Sequence, residues 1–303
     1  MSTAQLNDRH VGIIGVGLMG HGIASNIRKA GCAVGFLHHD GNQPTDDLIA
    51  AGAVAYDNVA TLTAACDTLL LCVTGTPQVE AILNQPDGVL SAIKPATVVI
   101  DCSTAIPAST IRLAEKLKAY GVHFLDSPMT RTPKEAAEGK LNLIVGGDKS
   151  VFDIQLPLLQ TVAENITYAG GHGAGHTLKL VHNFVSLGFS SVLAEAAAAA
   201  AKAGIDPETL RDVLANGGGA SVVLERMTPY LTKGDVGAFS FSLSNSAKDM
   251  GYYTQMCEDL NAAASVAGAV DKVYAQQVAQ GNGDLYVPLL ISLLNQSATN
   301  GCD

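Results

Sequence analysis

The chain has no tryptophan, only 5% aromatic residues, and charge on just 15% of its 303 positions. Sparse charge beside a 48% hydrophobic share is the reverse of the composition that keeps a chain disordered, so a buried core is expected. Basic residues are in deficit as well: 18 Lys+Arg against 28 Asp+Glu give a net charge of −10. That balance excludes a broad nucleic-acid or anionic-membrane surface, and any anion must be met by a local device. No run reaches the roughly 18 to 20 uninterrupted apolar residues of a membrane span. Residues Met1 to His10 also lack the apolar core of a secretory signal. The six cysteines, Cys32, Cys66, Cys72, Cys102, Cys257 and Cys302, form no CxxC pair and no metal-ligand spacing. Reduced thiols in a cytoplasmic protein without a metal site are therefore expected.

The length suits about two domains. From Val11 to Tyr168 short apolar runs alternate with amphipathic ones. The strands expected are Val11 to Ile14, Ala33 to Leu37, Thr68 to Val73, Thr97 to Ile100, Val122 to Leu125, Leu141 to Val145 and Asn165 to Tyr168. Between them Leu18 to Lys29, Thr76 to Leu83, Pro107 to Tyr120 and Ser150 to Ala163 have apolar residues three or four apart, the spacing of one helix face. Strand and helix in alternation imply right-handed crossovers and a mostly parallel sheet, a doubly wound α/β domain. After Gly170, Gly171, Gly173 and Gly175 the strand signals stop. His176 to Ala203 reads as one long helix, ended by Gly204 and followed by Asp206-Pro207 as the next helix start. The expected division is an α/β domain over 1–170 and an all-α domain over 171–303. The run Ala196 to Ala201 is read as a close-packing helix face.

Gly15-Val16-Gly17-Leu18-Met19-Gly20 follows the first strand and opens a helix. In that context the first glycine permits a tight turn, the second lets backbone approach a pyrophosphate, and the third packs helix on strand. The segment is a dinucleotide cradle, and these six residues are its cofactor-binding candidates. An acid at the end of the second strand would bind a ribose 2′-hydroxyl, whereas a cation would favour a 2′-phosphate. Here the strand end reads Leu37-His38-His39-Asp40. Histidines stand where the acid is expected, so His38 and His39 are cofactor-binding candidates and NAD and NADP both remain open.

At the domain boundary Gly173-Ala174-Gly175-His176-Thr177-Leu178-Lys179-Leu180-Val181-His182-Asn183 sets Lys179 and Asn183 four residues apart, on one helix face. With the glycine motif, Asp101-Cys102-Ser103-Thr104, Asp126-Ser127-Pro128, Val145-Gly146-Gly147 and Lys248-Asp249, nearly the whole chain resembles the β-hydroxyacid dehydrogenase family. Its members are relatives of 3-hydroxyisobutyrate dehydrogenase and 6-phosphogluconate dehydrogenase. The resemblance implies an N-terminal Rossmann domain and an all-α C-terminal domain, with hydride transfer between NAD or NADP and a small anionic 3-hydroxyacid or its semialdehyde. It implies Lys179 as catalytic acid/base and Asn183 and Ser103 as substrate ligands. Ser103 would also touch the cofactor, Cys72 and Val73 would line it, and Lys248 would approach the nicotinamide. Relatives are homodimers or homotetramers. The longer 6-phosphogluconate branch places a glutamate seven residues after the lysine for decarboxylation; Ser186 stands there, which favours simple dehydrogenation. Imine reductases of the superfamily replace the lysine that this chain keeps.

One loop departs from the family. Where its members carry a Ser-Gly-Gly run, this chain has Thr130-Arg131-Thr132. The three are substrate-binding candidates, and the Arg131 guanidinium could grip an anion through a forked pair of N–H groups. The Arg-Thr pair is similar to that of sulfolactaldehyde reductases, which makes an organosulfonate the alternative substrate. A non-catalytic dinucleotide sensor is the alternative from another class.

Overall fold

The computed structural model describes residues 6–297; Cys302 lies outside them. The chain divides into two compact units after Lys179. This is later than Gly170 because the first turns of the long helix are hydrogen-bonded to the strand ends of the first unit.

Nine strands form one sheet: β1 His10–Ile14, β2 Ala33–Leu37, β3 Val54–Tyr56, β4 Thr68–Leu71, β5 Val98–Asp101, β6 His123–Asp126, β7 Met129–Thr130, β8 Leu141–Gly147 and β9 Ala163–Gly170. The order is β3-β2-β1-β4-β5-β6-β8-β7, with β9 on β8. The helices of this unit are α1 Gly20–Lys29, α2 Asp46–Ala50, α3 Val59–Ala65, α4 Thr76–Asn84, α5 Val89–Ala92, α6 Pro107–Lys118, α7 Pro133–Glu138 and α8 Lys149–Leu159; α9 Ala174–Lys202 leads into the second unit.

From β3 to β6 all pairings are parallel. Parallel strands are buried on both faces, which is why β4 is an uninterrupted Leu69-Leu70-Leu71 run. Leu70 packs with Ile13, Phe36 and Ile100 on one face. Leu69 and Leu71 pack with Ile14, Val99 and Phe124 on the other. The sheet then reverses: β8 runs antiparallel to β6 and to β7. Only the two-residue β7 and the six-residue α7 separate β6 from β8, too little chain for a crossover helix on the sheet. Gly139, at φ +70°, closes α7 and turns the chain back.

The second unit continues from α9 through α10 Pro207–Ala215, α11 Val222–Lys233, α12 Leu243–Asp259, α13 Ser265–Ala279 and α14 Leu290–Ser297, with two short 3-10 turns. Asp206, Ser221 and Ser242 each accept a backbone N–H three residues on, capping α10, α11 and α12. The core joins Leu187, Leu193, Met227, Met250, Tyr274 and Leu290 with Ala194 and Ala197; of the run Ala196 to Ala201 only Ala197 and Ala198 are buried, while Ala196, Ala199 and Ala201 are exposed. By length and composition alone α9 could cross a membrane. It nevertheless carries Lys179 and Glu195, and buries one face in this core.

Candidate active site

In the first unit the turn after β1 gives each glycine a separate task. Gly15 sits at φ +99°, and a Cβ there would lie 2.2 Å from the Cys72 carbonyl oxygen. A Cβ on Gly20 would lie 1.9 Å from the Gly15 carbonyl oxygen, so α1 approaches the turn only without one. A Cβ on Gly17 would meet nothing within 4 Å: open space stands where a pyrophosphate would approach backbone. Met19 caps α1 with no side-chain bond, and the first turn holds no acid, leaving the positive end of the helix dipole to an anion. Val16 is buried, Met19 half-buried and Leu18 exposed. The turn fits a dinucleotide.

Beside it stand the ends of β4 and β5. Cys72 donates its N–H to Ile14 and Cys102 to Leu71, each at under 3 Å, extending the parallel ladder past the strands. Ser103 is buried, and its Oγ accepts the Val73 N–H at 3.1 Å. The hydroxyl thus ties two strand ends together, while the neighbouring Thr104 is half-buried. Burial pushes the Cys72 thiol up to about 12 and holds the Cys102 thiol well above its ordinary value, so neither supplies a thiolate nucleophile at neutral pH. All five described cysteines are free. Among the described residues no cluster of His, Cys, Asp or Glu could hold a metal.

Asp126, at the end of β6, belongs to the Asp126-Ser127-Pro128 motif, and the sequence alone assigns it no role. It is fully buried, and its two oxygens accept the Gly173 N–H at 2.8 Å and the His176 N–H at 2.9 Å. The carboxylate therefore caps α9 from a distant strand, where a helix N-terminus stabilises negative charge. A Cβ on Gly146 or Gly175 would lie within 2.8 Å of an Asp126 carboxylate oxygen. Asp126, Gly146 and Gly175 are one device split across three motifs. It fixes the start of the helix that carries Lys179, which lies on that helix's second turn.

The other candidates divide. His38 and His39 follow β2 and are exposed. Their loop is braced by Asn42 to the Leu37 carbonyl and by the Gln43 N–H to the Val16 carbonyl. Thr130, Arg131 and Thr132 all have partners within their own unit. Thr130 Oγ1 accepts from Asn142 at 3.1 Å. Arg131 donates to Glu164 at 2.6 Å and to the Lys140 carbonyl. Thr132 forms a capping box with Glu135. Arg131 lies at φ +83°, so the loop keeps a glycine-type conformation without the glycine.

In the second unit Asn183 is buried on α9, and its Nδ2 donates to Asp249 Oδ2 on α12 at 2.6 Å. Lys248 Nζ stands 3.1 Å from Asp249 Oδ1, an ion-pair distance without hydrogen-bond alignment. Asp249 thus joins two sequence-predicted residues, and only its place in Lys248-Asp249 hinted at it.

Residues 10–170 match the model of the NAD binding domain of 6-phosphogluconate dehydrogenase, and residues 173–294 that of the NAD-binding of NADP-dependent 3-hydroxyisobutyrate dehydrogenase. The chain belongs to the 3-hydroxyisobutyrate dehydrogenase-like family. Within this family it is 31% identical over 276 residues to 2-(hydroxymethyl)glutarate dehydrogenase of Eubacterium barkeri, covering 90% of each chain. It is 35% identical over 216 residues to 2-hydroxy-3-oxopropionate reductase of Escherichia coli, covering 71% of this chain and 73% of the relative. A 3-hydroxyisobutyrate dehydrogenase of Mycobacterium tuberculosis, solved with L-serine, superposes with a TM-score of 0.84 at 25% identity, covering 94% of this chain and 99% of that one. The protein is an NAD(P)-dependent oxidoreductase of the hydroxyacid dehydrogenase family.

Proposed function

We propose that the protein transfers a hydride between NAD(P) and carbon 3 of a small anionic 3-hydroxyacid or its semialdehyde, with Lys179 as general acid/base. The observation that carries this reading is the placement of Lys179 on the second turn of a helix whose start is held by Asp126. When bound, the nicotinamide supplies the hydride chemistry. The protein's part is to hold the substrate and move the hydroxyl proton. Lys179 takes that proton during oxidation and returns it during reduction. Asn183, four residues on, is on the same helix face and orients the substrate. 2-(Hydroxymethyl)glutarate, 2-hydroxy-3-oxopropionate and L-serine share a carboxylate with a hydroxymethyl or aldehyde carbon two bonds from it, which favours carbon 3 as the reacting centre.

The organosulfonate reading is weaker, because Glu164 already neutralises the guanidinium it needs. We place the protein in the cytoplasm as a homodimer or homotetramer. Val185 and Val192 on α9, 64% and 66% exposed, offer an apolar stripe for association. The test is a panel of 3-hydroxyacids, semialdehydes and sulfolactaldehyde, each assayed with both dinucleotides. A kcat/KM at least roughly 100-fold higher for a carboxylated 3-hydroxyacid or semialdehyde than for the sulfonate supports the reading. A preference for the sulfonate overturns it.

A further inference from the structure

His176 has no part in the chemistry above, yet among the described residues of the first unit no side chain is more completely enclosed. It is 0% exposed and sits three residues before Lys179 on α9. Its Nδ1 is 2.7 Å from Thr110 Oγ1 on α6. Its Nε2 is 3.1 Å from the Ser103 carbonyl oxygen and 3.9 Å from Asp101 Oδ2 at the end of β5. Ser103 and Asp101 offer Nε2 only acceptors, which places a hydrogen on Nε2 and leaves Nδ1 to accept; the Thr110 hydroxyl, which also lies 3.3 Å from the Ile106 carbonyl oxygen, directs its hydrogen to the nearer Nδ1. Asp101 also accepts the Ser103 N–H at 2.9 Å, and burial raises its carboxyl while the nearby imidazole opposes that shift.

These contacts give the imidazole one donor and one acceptor facing two different elements. The Ser103 residue it holds by the carbonyl is the same residue whose hydroxyl holds the Val73 N–H. A continuous set of hydrogen bonds therefore runs from the end of β4, through the end of β5, to the first turn of α9. The family resemblance puts Ser103 beside the nicotinamide ribose and has Val73 line the cofactor.

We propose that His176 is a positioning residue that sets the turn bearing Lys179 in register with the cofactor-facing ends of β4 and β5. The inference rests on the reading of Lys179 as general acid/base. It requires of position 176 a donor toward Ser103 and an acceptor toward Thr110, not a titrating ring. A glutamine amide has both groups and replaces the imidazole; a leucine fills the space and makes neither bond.

The test is steady-state kinetics of H176Q, H176L and T110V in the full-length enzyme, with melting curves and dinucleotide affinity measured alongside. H176L lowers kcat by roughly 30-fold or more while dinucleotide Kd changes by less than about threefold, as expected when a reacting group is displaced by a fraction of an ångström. H176Q keeps kcat within about threefold of the parent. T110V, which removes one of the two bonds and leaves the ring in place, falls between them; it serves as the variant to read if H176L does not fold. A normal kcat in H176L, or in T110V where H176L is lost, overturns the inference, as does an H176Q enzyme as impaired as H176L. K179A separates the two readings. If K179A keeps its turnover, the acid/base assignment fails; if K179A is inactive and H176L is normal, only the positioning role fails.

Discussion

In the unit that ends at Lys179, the candidate residues are arranged largely through backbone: the turn of Gly15, Gly17 and Gly20, the Val73 N–H on Ser103, and the Gly173 and His176 N–H groups on Asp126. In the unit that begins at Leu180, they are arranged through side chains of separate helices, Asn183 on α9 with Lys248 and Asp249 on α12. Backbone sites need glycine at fixed places, so they leave short motifs. Side-chain pairs separated by about 65 residues leave none, because each helix records only its own apolar face.

This contrast can be broken most sharply at Gly20. A methyl group there meets the Gly15 carbonyl oxygen, so Gly20→Ala lowers stability by more than about 3 kcal/mol, read by chemical denaturation. Gly17→Ala, facing open space, leaves the melting temperature nearly unchanged and weakens dinucleotide binding roughly tenfold or more, read by titration calorimetry. If both glycines behave alike, their tasks have not been separated. In the second unit Asp249→Ala takes the acceptor from the buried Asn183 amide and the carboxylate from beside Lys248, at a cost of about 3 kcal/mol. An unchanged melting curve would mean that the helical unit does not depend on that pairing.

Smaller effects come from titration and from the ribose end. Cys66 and Cys72 are held at about 12, above the ordinary 9.0. Their raised folded values mean that the unfolded chain loses these protons first, so stability is complete below pH 9 and declines as pH rises from about 9 toward 12. Denaturation midpoints at pH 8 and pH 10.5 read this, and a flat profile would contradict the burial of these thiols. His38→Asp restores a carboxylate after β2 and shifts the NAD-to-NADP ratio of kcat/KM toward NAD by roughly tenfold. No shift would move ribose recognition elsewhere.

The sequence was most legible where one residue type alone satisfies the geometry. Ala33–Leu37 was placed to the residue, and α9 was displaced by only a residue or two at its ends. Val54–Tyr56 and Met129–Thr130 were missed because two or three residues carry no periodicity. The antiparallel turn of β8 was missed for a related reason: alternation of strands and helices implies a crossover, and α7 is too short to make one. At the site, a hydroxyl at Ser103 and a guanidinium at Arg131 were visible, but their partners Val73, Glu164 and Lys140 were not. Asp126 and His176 had no legible role, because each acts through residues brought to it by the fold.

The central claim is that Lys179 moves the substrate proton, and single-turnover hydride transfer in Lys179→Ala, followed at the nicotinamide absorbance, tests it most directly. The account predicts a rate lower by about 10²- to 10⁴-fold with dinucleotide Kd within about threefold of the parent. A rate within tenfold of the parent would contradict it.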